Sequence, residues 1–109
     1  MTDHRLAQIE KRIAAIKAEL TEIGPMRPGS LTRQFKDPKS QSGPYYQLSY
    51  TRQMRSRTEY VPRDRLSEVR SQIRTYKRFR GLIDEWVKLG IEQCRLLMRS
   101  AARASHRRR

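Results

Sequence analysis

The N-terminal part of the chain repeats apolar residues with the period of an α-helix. The apolar positions alternate between three- and four-residue spacings, and they are Leu6, Ile9, Ile13, Ile16, Leu20 and Ile23. Residues at this spacing lie on one side of a helix and form a seam that packs against a second helix. Gly24 and Pro25 follow, which is the usual order of signals at a helix end. The pattern predicts a helix over residues 1–24.

A second and longer helical pattern occupies the C-terminal part of the chain. Its apolar seam consists of Leu66, Val69, Ile73, Tyr76, Ile83, Val87, Cys94, Leu97 and Ala101, with Arg80 and Gly90 in two weak positions. The pattern predicts a helix over residues 63–104 with Asp64 as its N-cap, followed by a basic tail over residues 105–109. We expect the two helices to pack antiparallel. The second seam is longer than the first, so part of it is not covered by the first helix. A homodimer through the long helix is the simplest way to cover that part.

Between the two helical patterns the period changes to two, which is typical of strands. The sequence from Tyr46 to Tyr50 alternates apolar and polar residues, and the same character returns in residues 57–61. Pro62 then ends the second strand, because proline has no N–H to donate to a neighbouring strand. The pattern predicts a β-hairpin over residues 44–61.

The remaining segment, residues 25–43, is rich in proline, glycine and serine and predicts a connecting loop. The expected fold is a single domain of residues 1–109, of the α+β class and mainly helical. Its order is N-terminal helix, Pro/Gly loop, β-hairpin and long C-terminal helix. No apolar stretch approaches the roughly 20 residues needed to cross a bilayer, and the first residues lack the apolar core of a secretory leader. We therefore expect a cytoplasmic protein that does not bind membranes.

The charge of the chain indicates a class of partner. Lysines and arginines number 25 against 11 acidic residues, which gives a net charge of +14 and a pI near 11.0. A charge this large costs self-repulsion that a polyanion relieves, and nucleic acid is the commonest polyanionic partner. An anionic membrane or an acidic protein is the alternative. We expect DNA ahead of RNA, although the sequence does not decide between them.

Candidate phosphate contacts are the basic residues of the hairpin and of the beginning of the long helix. They are Arg52, Arg55, Arg57, Arg63, Arg65, Arg70, Arg74, Lys77 and Arg78. Arginine suits this role because its guanidinium donates two parallel hydrogen bonds to a phosphate and also stacks on bases. The alternative is that these side chains only form a solvated surface.

Two further groups are candidates for closer contacts. Tyr45 shares its predicted face with polar neighbours, whereas the other tyrosines of the hairpin are better explained as its core. The turn at Gly29, bounded by Arg27 and Arg33, offers backbone N–H groups to a phosphate. An ordinary proline-glycine turn explains the same residues.

The sequence shows no pattern typical of catalysis or of a bound metal. Cys94 is the only cysteine, which excludes a disulfide within the chain and a cysteine-based zinc site. The two histidines, His4 and His106, lie near the chain ends and belong to no Ser/His/Asp or Cys/His set. No glycine-rich phosphate-binding motif precedes a helix. We expect a non-enzymatic protein without a cofactor or a metal.

Four segments resemble one protein family. They are MRPGSLTRQFKDPKS from Met26, GPYYQLSY from Gly43, SRTEYV from Ser56 and VRSQIRTYKRFRGLIDEWVKLGIE from Val69. Over about Met26 to Glu92 the chain resembles an uncharacterised family of short basic bacterial proteins, a domain of unknown function often found beside transposase or phage genes. Many members carry a cysteine-rich insertion before the segment Lys36-Asp37-Pro38. This chain lacks the insertion, so the resemblance implies no metal site here.

The leading hypothesis is non-enzymatic nucleic-acid binding. The resemblance adds an accessory role in a mobile genetic element, with a transposase or recombinase as a candidate protein partner. The order of strand, basic turn, strand and helix is also similar to the small arm-type DNA-binding domains of tyrosine recombinases, which use three strands where this sequence predicts two. The alternative hypothesis is a coiled-coil adaptor for protein–protein interaction, whose charge keeps it soluble.

Overall fold

The architecture follows the order predicted from the sequence, with one additional strand. The structure is a computed structural model and describes residues 2–40 and 42–107. Its elements are helix α1 (Thr2–Thr21), strands β1 (Ser30–Asp37), β2 (Ser42–Arg52) and β3 (Arg55–Val61), and helix α2 (Leu66–Arg107). The three strands form one antiparallel sheet in the order β1-β2-β3. The predicted fold class, α+β and mainly helical, is confirmed.

The helix boundaries differ from the predicted ones by a few residues. Helix α1 ends at Thr21, earlier than expected, and helix α2 begins at Leu66. A short 3-10 helix, Arg63–Arg65, precedes α2; it contains Asp64, which therefore does not cap a helix as predicted. Helix α2 continues to Arg107, so the first part of the predicted tail is helical. The other residues of that tail, 108 and 109, lie outside the described residues.

The segment predicted as a loop, residues 25–43, contains strand β1. Its register with β2 pairs Leu31 with Leu48 and Phe35 with Pro44. Arg33 lies between these two apolar residues on the same face, with its guanidinium carbon 4.8 Å from the centre of the Phe35 ring. Because a charged residue interrupts the apolar positions, the period-two pattern is incomplete and the strand is hidden in the sequence.

The two faces of the sheet differ in chemical character. One face, here called the packed face, lies against the beginning of α2. Its buried residues Leu48 and Val61 form a core with Leu66, Val69 and Ile73 of the helix, and Leu31, Tyr46 and Tyr50 pack around that core. Residues paired across antiparallel strands point to the same side, so the register also defines the opposite, open face. The open face consists of Ser30, Thr32, Gln34, Tyr45, Gln47, Ser49, Thr51, Ser56, Thr58 and Tyr60.

The chain forms two compact units, and helix α2 contributes to both. Residues 24–78 form a sheet unit, which holds the three strands and the first part of α2. Residues 1–23 and 79–109 form a helical unit, in which α1 packs against the remainder of α2. Neither helix, over the ranges that the structure describes, has the length and apolar character that crossing a membrane requires.

The two helices of the helical unit run antiparallel, as predicted. Ile9, Ile13 and Ile16 of α1 are buried together with Leu82 of α2. Ion pairs join residues early in α1 to residues late in α2: Arg5 pairs with Glu92, and Arg12 pairs with Glu85 at 2.6 Å. The ammonium of Lys17 lies 5.4 Å from the centre of the Trp86 ring.

The apolar seam predicted for α2 is buried in the sheet unit, but several of its residues are exposed in the helical unit. Leu66, Val69 and Ile73 are buried, but Val87 and Leu97 are 57% and 50% exposed. Cys94, predicted as a small residue of the seam, is exposed as well. An α-helix drifts by about 20° in each heptad relative to a repeat of 3.5 residues, so one continuous seam cannot serve two partners along 42 residues.

Candidate nucleic-acid interface

Two of the predicted phosphate contacts are already neutralised by carboxylates. Arg27 pairs with Glu59 at 2.6 Å, and Arg65 pairs with Glu68 at 3.1 Å. Glu59 also accepts a hydrogen bond of 3.1 Å from the hydroxyl of Tyr50. The bond from Arg27, followed by that from Tyr50, lowers the pKa of Glu59 below its ordinary value. Arg27 and Arg65 therefore have less charge to offer a phosphate than the sequence suggests.

Arg33 and Tyr45 lie on neighbouring strands but on different faces of the sheet. Arg33 is on the packed face, where its guanidinium stacks on the Phe35 ring. Tyr45 is half-buried on the open face and lines a cavity with Lys36, Gly43, Pro44 and Tyr60. The ring of Tyr60, explained from the sequence as core, is 67% exposed. The open face thus presents two tyrosines beside a lysine.

The turn predicted at Gly29 does not form, because residues 23–29 have irregular backbone without a turn or bend. This segment lies beside basic residues of α2 and not beside the ones that flank Gly29 in sequence. Gly29 and Ser30 line a cavity of about 310 Å³ together with Arg70 and Lys77. Gly29 has a φ of +138°, and a Cβ built on it would lie 2.5 Å from the Cδ1 atom of Leu48. Glycine is required here because the backbone lies directly on the core. The resulting cavity combines two cations with the irregular backbone that precedes β1.

The hairpin places three arginines at the free end of the β2–β3 ladder. Arg52 and Arg55 are directly opposite each other, and Arg57 is opposite Tyr50, all on the same side of the sheet. None of the three forms an ion pair within residues 2–40 and 42–107. Like charges directly opposite on neighbouring strands destabilise a ladder. An anion bound between them would remove that repulsion.

The other predicted contacts are exposed and dispersed over the sheet unit. Arg63 lies in the 3-10 helix, and Arg74 and Arg78 lie on α2. No ion pair engages them in the part of the chain that the structure describes. By contrast, Arg5 and Arg12 of the helical unit are held by glutamates. The unpaired cations among the predicted residues thus belong to the sheet unit.

The open face as a whole is not indicated by the sequence pattern. Its residues are almost all hydroxyl or amide side chains, and most of them are exposed. Such side chains donate and accept hydrogen bonds to bases and phosphates. The face is visible only once β1 is known to pair with β2, because β1 supplies Ser30, Thr32 and Gln34. The alternation of Tyr45, Gln47 and Ser49 in β2 is the signal that could have found it.

The described residues include no cluster of three histidine, cysteine, aspartate or glutamate side chains arranged to hold a metal ion.

Comparison with known proteins identifies the chain at the level of a family. No curated protein and no solved structure matches the sequence. A family described as a domain of unknown function, DUF6788, matches residues 5–71. This match begins within α1 and ends inside α2, and it shares residues 26–71 with the resemblance described above. Since it covers more than half of the chain, the protein belongs to the DUF6788 family.

Proposed function

We propose that this protein binds nucleic acid without catalysing a reaction, and that its sheet unit contacts the phosphates of duplex DNA. One observation carries the proposal: the cations of the sheet unit that have no carboxylate partner include most of the candidate contacts. They are Arg52, Arg55, Arg57, Arg63, Arg70, Arg74, Lys77 and Arg78. Unneutralised arginines lining a cavity and the end of a hairpin suit the phosphates of a polyanion.

The shape of the sheet unit favours DNA over RNA. The grooves of B-form DNA admit protein elements whose side chains reach the base edges, whereas the major groove of A-form RNA is too narrow for side chains to reach bases. Strands β2 and β3 form a two-stranded ribbon with an exposed turn that suits such a groove. The hydroxyl and amide side chains of the open face add hydrogen-bonding groups beside it.

The proposal is tested by reversing charge on one side of α2. The variant R70E/R74E/R78E removes unpaired cations of the sheet unit, and the matched control K11E/R99E/R103E makes the same change in charge on exposed positions of the helical unit. Binding to duplex DNA, single-stranded DNA and structured RNA is measured across a salt series. We expect the slope of log affinity against log salt to fall by about 0.9 for each phosphate that the variant no longer neutralises.

The expected result is duplex binding by the wild type and the control, and loss of binding by R70E/R74E/R78E with unchanged helical circular dichroism. Equal loss in both variants would mean that only net charge matters, and would contradict a specific role for the sheet unit. Preference for structured RNA over duplex DNA would contradict the choice of DNA.

An accessory role beside a transposase or recombinase extends the proposal. Its support is the sequence resemblance alone. The neighbourhood of the gene checks it: genes for such enzymes should adjoin the gene for this protein.

A second candidate function is self-association through α2. Among the apolar side chains of the helical unit, Val87, Ile91, Leu97 and Met98 are all at least half exposed. Ile83, Val87, Gly90, Cys94 and Leu97 recur at alternating four- and three-residue spacings, which is the spacing of a coiled-coil seam. The partner with a matching seam is a second copy of this chain.

Sedimentation equilibrium tests this second candidate. We expect a dimer for the wild type and a monomer for V87K/L97K, because charged residues at seam positions oppose association. The control is M54K, which adds one charge at an exposed apolar residue outside the helical unit. A wild-type monomer at high protein concentration would exclude the dimer.

A further inference from the structure

The end of the β2–β3 hairpin projects beyond the rest of the sheet. The pairing of β1 with β2 reaches only to Ser30 opposite Ser49. Beyond that point, β2 pairs with β3 alone through Tyr50 with Arg57, Thr51 with Ser56 and Arg52 with Arg55. Three residue pairs at about 3.4 Å per residue make a two-stranded arm that extends about 10 Å past the edge of β1. Tyr50 at its base packs around the core of the sheet unit, so the two outer pairs, about 7 Å long, project freely. The arm is defined here as residues 50–57.

The turn at the tip of the arm has a backbone conformation that its residues do not favour. Gln53 and Met54 have φ values of 52° and 64°, and they join the closing pair Arg52 and Arg55. Positive φ at both central residues is the geometry of a type I′ turn, for which Asn-Gly and Gly-Gly are the usual sequences. A residue other than glycine costs of order 1–3 kcal/mol in such a region. Strained backbone of this kind is concentrated at functional sites, so the turn is a candidate for one.

The side chain that this turn presents is apolar and almost completely exposed. Met54 is 97% exposed, which is the highest value among the exposed large apolar residues of the described chain. A type I′ turn with glycine in this position would expose no side chain at all. The sequence thus combines an unfavourable backbone with an apolar side chain at the outermost point of the arm.

Basic residues lie near the exposed methionine. Arg52 and Arg55 flank the turn directly, and Arg57 follows one period later on the same side of the arm. Within residues 2–40 and 42–107, none of them forms an ion pair, although the charge of Arg57 adds to the lowering of the pKa of Glu59. The tip therefore combines an exposed apolar side chain with three cations on one side of the arm, and a ligand for it needs both an apolar slot and a dense negative charge.

We infer that the arm enters the minor groove of duplex DNA and that Met54 inserts between two base pairs. This inference rests on the proposed function and makes it more specific. Proteins that bend DNA from the minor groove insert apolar side chains, methionine among them, between base steps, and arginines are attracted to the negative potential of that groove. The two outer pairs and the Met54 side chain beyond them give the arm a reach comparable to the groove depth of about 7.5 Å. Stacked bases supply the apolar slot and phosphates supply the charge.

The minor groove fits better than the major groove because of the chemistry of the tip. In the major groove an apolar side chain can contact only the thymine methyl group, whereas proteins that bind the minor groove insert such side chains between base steps. Opening a base step widens the minor groove, so that a two-stranded arm fits into it. The wedge and the arginines then act together: Met54 opens the step, and Arg52 and Arg55 hold the displaced phosphates.

The experiment measures binding and bending separately on one DNA. A duplex labelled at both ends with a donor and an acceptor dye reports bending by energy transfer, and 2-aminopurine within it reports unstacking. We compare the full-length wild type with Met54→Leu and Met54→Gly. Leucine keeps an apolar wedge, whereas glycine removes the wedge and suits the turn, so loss of folding does not explain its effect.

We expect the wild type and Met54→Leu to bend the duplex by about 20–90° and to raise the 2-aminopurine signal. Met54→Gly should bind with an unchanged salt slope, because the phosphate contacts remain, but without the bend or the unstacking. Netropsin, which occupies the minor groove, should prevent bending, and methyl green, which occupies the major groove, should not.

Binding of the wild type without bending, or equal bending by Met54→Gly, would overturn the inference and leave the proposed function standing. Competition by methyl green instead of netropsin would also overturn it, by placing the arm in the major groove. If the wild type does not bind duplex DNA at all, the proposed function fails together with the inference. In this last case, an acidic protein would be the alternative ligand to test for the tip.

Discussion

At the scale of single residues, the packing of the sheet unit requires glycine at position 29, because there is no room for a side chain. The segment before β1 approaches the core so closely that a Cβ atom at this position would collide with Leu48. The positive φ of Gly29 adds a second reason for glycine. The same segment brings Ser30 to the cavity lined by Arg70 and Lys77, so its shape affects both stability and the candidate phosphate site.

We predict that Gly29→Ala lowers the free energy of unfolding by about 2 kcal/mol, from the collision and the unfavourable φ together. Urea denaturation followed by circular dichroism measures the change. The control is Gly24→Ala in the same unit, where no atom lies within 4 Å of the added Cβ. That variant should stay within about 0.5 kcal/mol of the wild type. Equal effects of both substitutions would show that the close approach to Leu48 is unimportant.

The candidate phosphate contacts could be predicted only in part at this scale. The sequence identified Arg70 and Lys77 and the Gly29 segment separately, and the structure brings them to one cavity. It also suggested Arg27 and Arg65, which are held by Glu59 and Glu68. Pairing of Arg27 with Glu59 joins residues 32 positions apart, which no local pattern reveals.

At the scale of elements, the hairpin turn is the least favourable part of the sheet. Gln53 and Met54 both occupy the left-handed region, where asparagine is tolerated much better than glutamine. The strain belongs to the turn and not to the strands, because the closing pair keeps its register. Stability and DNA bending can therefore be separated by changing one turn residue at a time.

We predict that Gln53→Asn stabilises the hairpin by roughly 1 kcal/mol, since it relieves part of the strain at a positive φ. The measurement is amide hydrogen exchange of β2 and β3, which should slow by about a factor of five for this free energy. DNA bending should be unchanged because Met54 remains. A bend that disappears with Gln53→Asn would show that the strained backbone itself, and not the methionine, is required.

The elements themselves were largely predictable, and the exceptions have physical causes. Both helices and the hairpin carry regular apolar periods, so their existence followed from the sequence. Strand β1 did not, because its face alternates Leu31, Arg33 and Phe35 and the arginine hides the pattern. The seam of α2 was predicted only in part in the helical unit, because it was extended at one fixed spacing through a helix that has a sheet as its first partner.

At the scale of the whole molecule, the few carboxylates have a large share in holding the structure. Against 25 basic residues there are 11 acidic ones, and Glu59, Glu85 and Glu92 each hold an arginine from another element or segment. The hydrogen bond from the arginine lowers the pKa of each of these glutamates. Within each unit, these pairs connect segments distant in sequence.

We predict that the protein loses stability as the pH falls below about 4.5, the ordinary pKa of glutamate. A carboxyl with a lowered pKa in the folded state stabilises the fold above its unfolded pKa, and the contribution disappears as the pH falls through the folded value. Thermal unfolding between pH 7 and pH 2 measures the loss. The variant E59Q/E85Q/E92Q should be less stable at pH 7 and less sensitive to acid. An acid profile identical to that of the wild type would exclude these three groups as its cause.

The arginines of β3 affect whether two copies of the protein can pair through the edges of their sheets. In a three-stranded sheet, β1 and β3 are both edge strands, and an edge strand offers unpaired backbone groups to any other edge. Arg55 and Arg57 on β3 oppose such pairing between free molecules, because like charges would approach each other. If the sheet unit binds DNA as proposed, phosphates cancel these charges. Neighbouring molecules are then free to join edge to edge, so we expect cooperative coating of long DNA where short duplexes bind single copies.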